Sequence, residues 1–284
     1  MEILLAKTAG FCFGVKRAVE TVYSEVENGG HIYTFGPIIH NEQVVSDLEK
    51  KGVVTLNSIE ELLSVTSGTV IIRSHGVSEE IYKIIESKGL NLVDATCPFV
   101  KKIHRIVKEE SQKGRQVIVI GNSKHPEVEG IIGWCDAKKP AIVIESHDEA
   151  CNFTADPNEK ISIVSQTTFN FNKFQELVEI LSKKGYDVNV VNTICNATEE
   201  RQKEAKDISS KADAMIVIGG SKSSNSQKLY EICSRECENT QFVQTSDDLN
   251  PDSIRSVSRV GITAGASTPK NIIEEVQNYV RLNF

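Results

Sequence analysis

Three cysteines in this chain share a local setting. Each follows a Val/Ile-rich or apolar run and precedes an amphipathic stretch: AKTAGFCFGVKRA around Cys12, NLVDATCPFVKKIH around Cys97 and VNVVNTICNATEERQ around Cys195. They lie 85 and 98 residues apart, with 89 residues after the last, so they divide the 284 residues into thirds. A count of 28 residues from each reaches His40 in GPIIHN, His125 in GNSKHPE and Ser223 in GGSKSSNS. Counts of 63, 70 and 72 reach His75 in RSHG, Thr167 in SQTT and Ser267 in AGAST. Each landmark closes an apolar run. This is the signature of one supersecondary unit repeated three times.

Three thiolates delivered by three units make a metal site. Structural zinc usually takes four ligands, commonly from CxxC pairs, and the chain has no CxxC. Iron–sulfur clusters are held by cysteine thiolates. A cubane with three cysteine ligands keeps one iron open to a substrate oxygen and can also pass electrons to it. Cys135, Cys151, Cys233 and Cys237 lack the repeat; Cys233 and Cys237, one helical turn apart, read as a buried helix face. His40, His75 and His125 can donate hydrogen bonds to an anion. Ser223, Ser224, Asn225 and Ser267 are neutral donors in glycine-containing loops that open helices, a setting suited to phosphate. No GxxxxGK[ST] loop occurs, which excludes an ordinary P-loop nucleotide hydrolase. Glu127, two residues past His125, is the proton-donor candidate, with Thr167 as a hydroxyl relay. Glu129 is its built-in comparison, and Glu42 a weaker rival.

The elements that must position these residues alternate. Strands are expected at Ile3–Ala6, Ile32–Phe35, Val53–Leu56, Thr69–Arg73, Leu90–Asp94, Gln116–Ile120, Ala141–Glu145, Ile161–Ser165, Asp187–Val191, Ala214–Ile218, Gln241–Thr245 and Arg259–Thr263. Helices are expected at Val15–Glu27, Asn41–Lys51, Glu79–Lys88, Phe99–Lys113, Asn172–Lys184, Thr198–Lys211, Ser226–Glu238 and Pro269–Val280. Gly29, Gly52, Gly89, Gly114 and Gly185 stand where helices should stop. The alternation argues an α/β protein with mainly parallel sheets. Functional groups of such sheets collect at the carboxyl ends of the strands, so three lobes around a pseudo-threefold axis would gather all nine landmarks. The division expected is residues 13–96, 97–194 and 195–284, with residues 1–12 supplying a strand that completes the third lobe. The composition is that of a globular chain: 39% apolar, 25% charged, 18 Gly and 7 Pro. A formal net charge of −7 argues against nonspecific nucleic-acid binding. No apolar run reaches the roughly 18 residues of a membrane span. The first residues lack a signal-peptide pattern, which points to a reducing, cytoplasmic setting with free thiols.

Taken together, GFCFGV, GPIIHN, RSHG, DATCP, HPEVEG, SQTT, NTICNAT, SSNS and GITAGAST resemble the LytB-type 4-hydroxy-3-methylbut-2-enyl diphosphate reductases from Ile3 to about Pro269. That resemblance implies three α/β lobes around a central 4Fe–4S cluster bound by Cys12, Cys97 and Cys195. It implies an allylic diphosphate substrate held by His40, His75, His125, Thr167, Ser223, Ser224, Asn225 and Ser267, and a proton delivered by Glu127. The implied reaction is a two-electron, two-proton reductive loss of the substrate hydroxyl, giving isopentenyl and dimethylallyl diphosphate. The electrons would come from an external ferredoxin- or flavodoxin-type donor. Two rivals are a quinolinate-synthase-like cluster enzyme, which would need a dicarboxylate site, and a non-enzymatic iron–sulfur sensor, which needs neither a buried proton donor nor a phosphate cradle.

Overall fold

A computed structural model describes residues Met1–Phe284. The chain begins with β1 (Glu2–Leu5) and α1 (Phe13–Asn28), followed by β2 (Ile32–Phe35), α2 (Glu42–Lys50), β3 (Val53–Leu56), α3 (Ile59–Ser64), β4 (Thr69–Ile72), α4 (Glu79–Ser87) and β5 (Asn91–Asp94). Strands β2 to β5 form a parallel sheet in the order β3-β2-β4-β5. After α5 (Pro98–Gln112) come β6 (Gln116–Ile120), α6 (Pro126–Ile132), β7 (Ile142–Ile144), α7 (His147–Asn152), β8 (Lys160–Ser165), α8 (Phe171–Ser182) and β9 (Asp187–Val190). Their parallel sheet runs β7-β6-β8-β9. The chain ends with α9 (Asn196–Ser209), β10 (Ala214–Ile218), α10 (Ser224–Glu236), β11 (Thr240–Val243), β12 (Arg259–Ala264) and α11 (Lys270–Asn283).

The third parallel sheet is β1-β12-β10-β11. In chain order each sheet therefore runs second, first, third, fourth. The fourth position of the third sheet is filled by β1, paired Leu4 to Gly261 and Leu5 to Ile262. By compactness the chain forms two units. One holds the third sheet (Met1–Lys16, Ile39–Asp47 and Cys195–Phe284); the other holds the first and second sheets (Arg17–Ile38 and Leu48–Ile194).

Side-chain alternation explains why helices cover both faces of the sheets. In the second sheet, Ile118, Ile120, Ile161 and Ile163 pack with Phe174, Leu177 and Leu181 of α8. Their strand neighbours Val117, Val119 and Val164 pack on the other face with Ile103 and Val107 of α5 and with Val128 and Ile131 of α6. The third sheet repeats this. Ile216 and Ile218 face Ile272, Val276 and Val280 of α11, while Met215 and Val217 face Ala205 of α9 and Leu229 and Cys233 of α10. Burial on both faces is why central strands such as QVIVI and AMIVI read as unbroken apolar runs.

The expected elements are present with ends shifted by at most two residues, the usual uncertainty at fraying termini, except that α11 runs three residues past its expected end, to Asn283. The five glycines expected to stop helices all have positive φ, from 66° at Gly89 to 88° at Gly52. Three short helices, α3, α6 and α7, show too little period to be read from sequence, at six or seven residues each. Their caps carried the signal instead: the Ser58 side chain accepts from the Glu61 N–H, and Ser146 with Glu149 forms a capping box.

Ile118→Ala removes a fully buried side chain from a central strand and should lower stability by about 2–5 kcal/mol. Ile142→Ala on edge strand β7, 37% exposed, should change it by about 0.5 kcal/mol or less. Urea-unfolding midpoints of the two variants check this contrast.

Candidate functional site

The strand order decides where loops can meet. In each sheet the first and third strands are neighbours, yet their following chains depart in opposite directions, which opens a crevice at their carboxyl ends. The loop after the first strand carries His40, His125 or Ser223; the loop after the third carries His75, Thr167 or Ser267. The structure brings these loops into contact in every sheet. In the first, Ser74 donates through N and Oγ to the Ile38 carbonyl at 3.2 and 2.9 Å. In the second, Thr167 donates to Glu127. In the third, Ser267 Oγ donates to Ser223 Oγ at 3.3 Å. The loop after the fourth strand carries the cysteine.

The unit holding the first and second sheets contains His75, Cys97, His125, Glu127 and Thr167. Cys97 is the N-cap of α5, with Pro98 at the first helical position, and its N–H donates to the Ser74 carbonyl at 3.0 Å. His125 is the N-cap of α6, and its Nδ1 accepts the Glu127 N–H at 3.1 Å. Acceptance at Nδ1 leaves Nε2 as the donor of the neutral ring. The His75 and His125 rings meet edge to face, 5.5 Å between centroids. Glu127 is 2% exposed. Its Oε1 accepts the Thr167 N–H at 2.6 Å and its Oε2 accepts the Thr167 hydroxyl at 2.8 Å. Burial pushes its pKa up to about 7, although both Thr167 hydrogen bonds favour the anion. Glu129 and Glu42 are exposed, so burial sets Glu127 apart from both.

The other unit contains Cys12, His40, Cys195, Ser223, Ser224, Asn225 and Ser267. Cys195 is the N-cap of α9, and the Cys12 carbonyl accepts the Lys16 N–H at 2.9 Å as α1 begins. Ser223, the N-cap of α10, accepts the Ser226 N–H and the Ser226 hydroxyl at 3.3 and 3.0 Å. Ser267 also donates to the His40 carbonyl at 3.1 Å. Gly220 is tight against that carbonyl: a Cβ there would lie 2.6 Å from the His40 oxygen. Asn225 is 4% exposed, and neither its Nδ2 nor its Oδ1 has a hydrogen-bond partner. A buried amide left in that state costs free energy.

None of the seven cysteines is in a disulfide. The repeat cysteines are half-buried at helix starts. Cys233, in the core of the third sheet, is pushed up to about 12 by burial and Cys135 to about 11. Both stay protonated thiols. Cys237 is buried, and Cys151 is exposed on α7, 3.6 Å from the His147 ring. Arg201 and Arg17 carry no motif that marks them in the sequence. Each lies five or six residues past a repeat cysteine, and each binds carbonyls of a cysteine-bearing segment. That matched spacing was the available signal.

Parallel sheets with cysteines, hydroxyls and a buried carboxyl at strand ends define an α/β enzyme whose chemistry lies in its loops. The chain matches the family described as LytB protein over residues 3–281, and it belongs to that family. A relative from Caldanaerobacter subterraneus, a 4-hydroxy-3-methylbut-2-enyl diphosphate reductase, is 47% identical over 97% of this chain and 95% of its own. The reductase of the same name from Clostridioides difficile is 46% identical over 99% of both chains. Among solved structures, the E-1-hydroxy-2-methyl-but-2-enyl-4-diphosphate reductase of Plasmodium falciparum superposes with a TM-score of 0.91 at 31% identity, covering 99% of this chain and 87% of that one. A second, (E)-4-hydroxy-3-methyl-but-2-enyl diphosphate reductase, described as the terminal enzyme of the non-mevalonate pathway, gives 0.71 at 41% identity over 99% and 100%. No helix here is long and apolar enough to cross a membrane.

The Glu127 carboxyl binds its proton more tightly folded than unfolded. Its contribution to stability is therefore full below pH 4.5 and is lost as pH rises through about 7. The thermal midpoint of the protein relative to Glu127→Gln should fall between pH 4.5 and 7.5. A difference independent of pH would contradict the buried, proton-holding carboxyl.

Proposed function

We propose that this chain is an oxidoreductase that reductively removes the hydroxyl of (E)-4-hydroxy-3-methylbut-2-enyl diphosphate, yielding isopentenyl and dimethylallyl diphosphate, the terminal step of the non-mevalonate route. The observation that carries this reading is the Glu127–Thr167 pair: a carboxyl that holds a proton near neutral pH, tied to a hydroxyl at the end of the neighbouring strand. Loss of a hydroxyl as water requires such a proton. An iron–sulfur sensor has no use for one.

The family is one of iron–sulfur enzymes, and the donor set here suits such a group. Cys12, Cys97 and Cys195 are thiols at helix starts, and three of them would hold a single 4Fe–4S cluster with one iron lacking a protein ligand. When bound, that cluster supplies the electrons and a Lewis acid for the substrate oxygen. The residues do the rest. Asn225 offers its unpartnered amide to the diphosphate. Ser223, Ser224 and Ser267 add hydroxyls around the start of α10, whose dipole favours an anion. His40, His75 and His125 add ring donors that do not require a basic clamp. His125 holds the Glu127 N–H through Nδ1, which keeps its other ring nitrogen for donation. Glu127 releases its proton and Thr167 conveys it through Oγ1, already 2.8 Å from the carboxylate. A diphosphate-binding hydroxyl and amide set does not match the dicarboxylate site of the quinolinate-synthase-like alternative.

The lobes of this reading are residues 13–96, 97–194 and 195–284, with 1–12 completing the third. The two electrons would come one at a time from a ferredoxin- or flavodoxin-type protein, in the cytoplasm.

Glu127→Gln should keep its iron and bind the allylic diphosphate but lose turnover by about 10²-fold or more, and Glu129→Gln should be nearly silent. Anaerobic single-turnover and binding measurements decide; normal turnover in Glu127→Gln with full iron would move the donor role elsewhere. Cys97→Ser, which exchanges a thiolate for a poor iron ligand, should lose iron and the visible absorbance. Cys233→Ser, at a buried protonated thiol, should retain both.

A further inference from the structure

Beyond Cys195, helix α9 carries a buried cation. Arg201 is 3% exposed. Its Nη1 donates to the Ala264 carbonyl at 2.5 Å and its Nη2 to the Gly10 carbonyl at 2.9 Å, while Nε has no hydrogen-bond partner. Both acceptors belong to segments that hold Cys12. Gly10 precedes it by two residues. Ala264 lies two residues before Ala266, whose carbonyl accepts the Cys12 N–H at 3.3 Å. One guanidinium thus straps the Cys12 loop to the end of β12 from the helix that Cys195 begins. The strap has a parallel in the other unit: Arg17, five residues past Cys12, donates to the Thr96 and Asp94 carbonyls at 3.0 and 3.1 Å, just before Cys97. Arg17 is only half-buried.

None of the hydrogen bonds of Arg201 reaches a carboxylate. Glu204, the nearby acid, is engaged elsewhere, accepting from Lys7 N, Thr8 N and Thr8 Oγ1 at 2.8, 2.9 and 2.5 Å. Burial draws the Arg201 pKa down, and Cys12 opposes this most, followed by Glu204 and Cys195. A buried cation needs a compensating negative charge close by. Glu204 supplies part of it, Cys12 and Cys195 would add to it as thiolate ligands of the cluster, and an arginine keeps its charge in such a setting.

We propose that Arg201 is a positioning residue that also sets the charge environment of the cysteine-bound cluster, so that its fixed positive charge favours the reduced state. This rests on the iron–sulfur reading above. A positive charge in a low-dielectric site stabilises the added electron; removing it should make reduction harder, and conserving it should not.

The test is an anaerobic redox titration of the iron-loaded holoenzyme, followed by EPR and visible absorbance, with iron content and circular dichroism measured alongside. In Arg201→Gln the one-electron reduction constant should fall about tenfold or more, a shift of about 59 mV or more to lower potential. Arg201→Lys, which keeps the charge but not the planar fork, should stay near the wild-type potential. If Arg201→Gln folds but fails to hold iron while Arg201→Lys holds it at the wild-type potential, the charge requirement is likewise upheld. An unchanged potential in Arg201→Gln, or loss of the cluster to the same degree in both variants, would overturn the proposal and leave Arg201 as a structural strap. A wild-type protein that holds no iron would instead defeat the cluster reading itself.

Discussion

A parallel strand buried on both faces has no room for chemistry along its length, because every side chain there faces a helix. Polar function is confined to where the strand stops. In this protein that constraint acts three times, in sheets of identical order. The order second, first, third, fourth sets the loops after the first and third strands side by side, and their contact is made by a different polar group in each sheet: Ser74 to Ile38, Thr167 to Glu127, and Ser267 to Ser223. The cysteines sit one strand further out, each at the start of the helix that follows a fourth strand. The N-terminal strand is a consequence of the same plan. Without β1 the third sheet would end at β12, and Cys12 would have no strand to follow.

Two of the buried ionisable side chains in this scaffold, Glu127 and Arg201, reach opposite solutions. Glu127 lies among groups that can only partly solvate an anion, so it keeps a proton to about pH 7. Arg201 cannot shed its proton and instead lies close to Cys12, Glu204 and Cys195. In each case burial supplies the energy that perturbs the group and a short, specific set of hydrogen bonds fixes its direction. Thr167 points the carboxyl; the Gly10 and Ala264 carbonyls point the guanidinium.

The cysteines show how position rather than residue type separates roles. Cys233 lies on α10 against Met215 and Val217, and burial, aided by Cys237, keeps it a thiol. Cys97 and Cys195 are instead helix N-caps, half-buried at the ends of strands.

The sequence by itself determined the alternation of strands and helices, the threefold recurrence of cysteine and polar landmarks, and the family resemblance. These are local or periodic properties: apolar runs such as QVIVI, glycines at helix stops, and counts of 28 residues from Cys12, Cys97 and Cys195. It also singled out Glu127, through its place beside His125, but could not distinguish it physically from Glu129 and Glu42. That distinction is burial, which depends on β8 bringing Thr167 across to α6 from 40 residues away. The Asn225 amide likewise reads as an ordinary cap-region residue until the fold withholds every partner from it. Arg201 stands in a charged helical run, TEERQKEAK, that looks like a solvated face. Only the return of β1 to the edge of β12 places the Gly10 carbonyl against it and removes it from water, because long-range strand pairing carries no signature in the residues near Arg201.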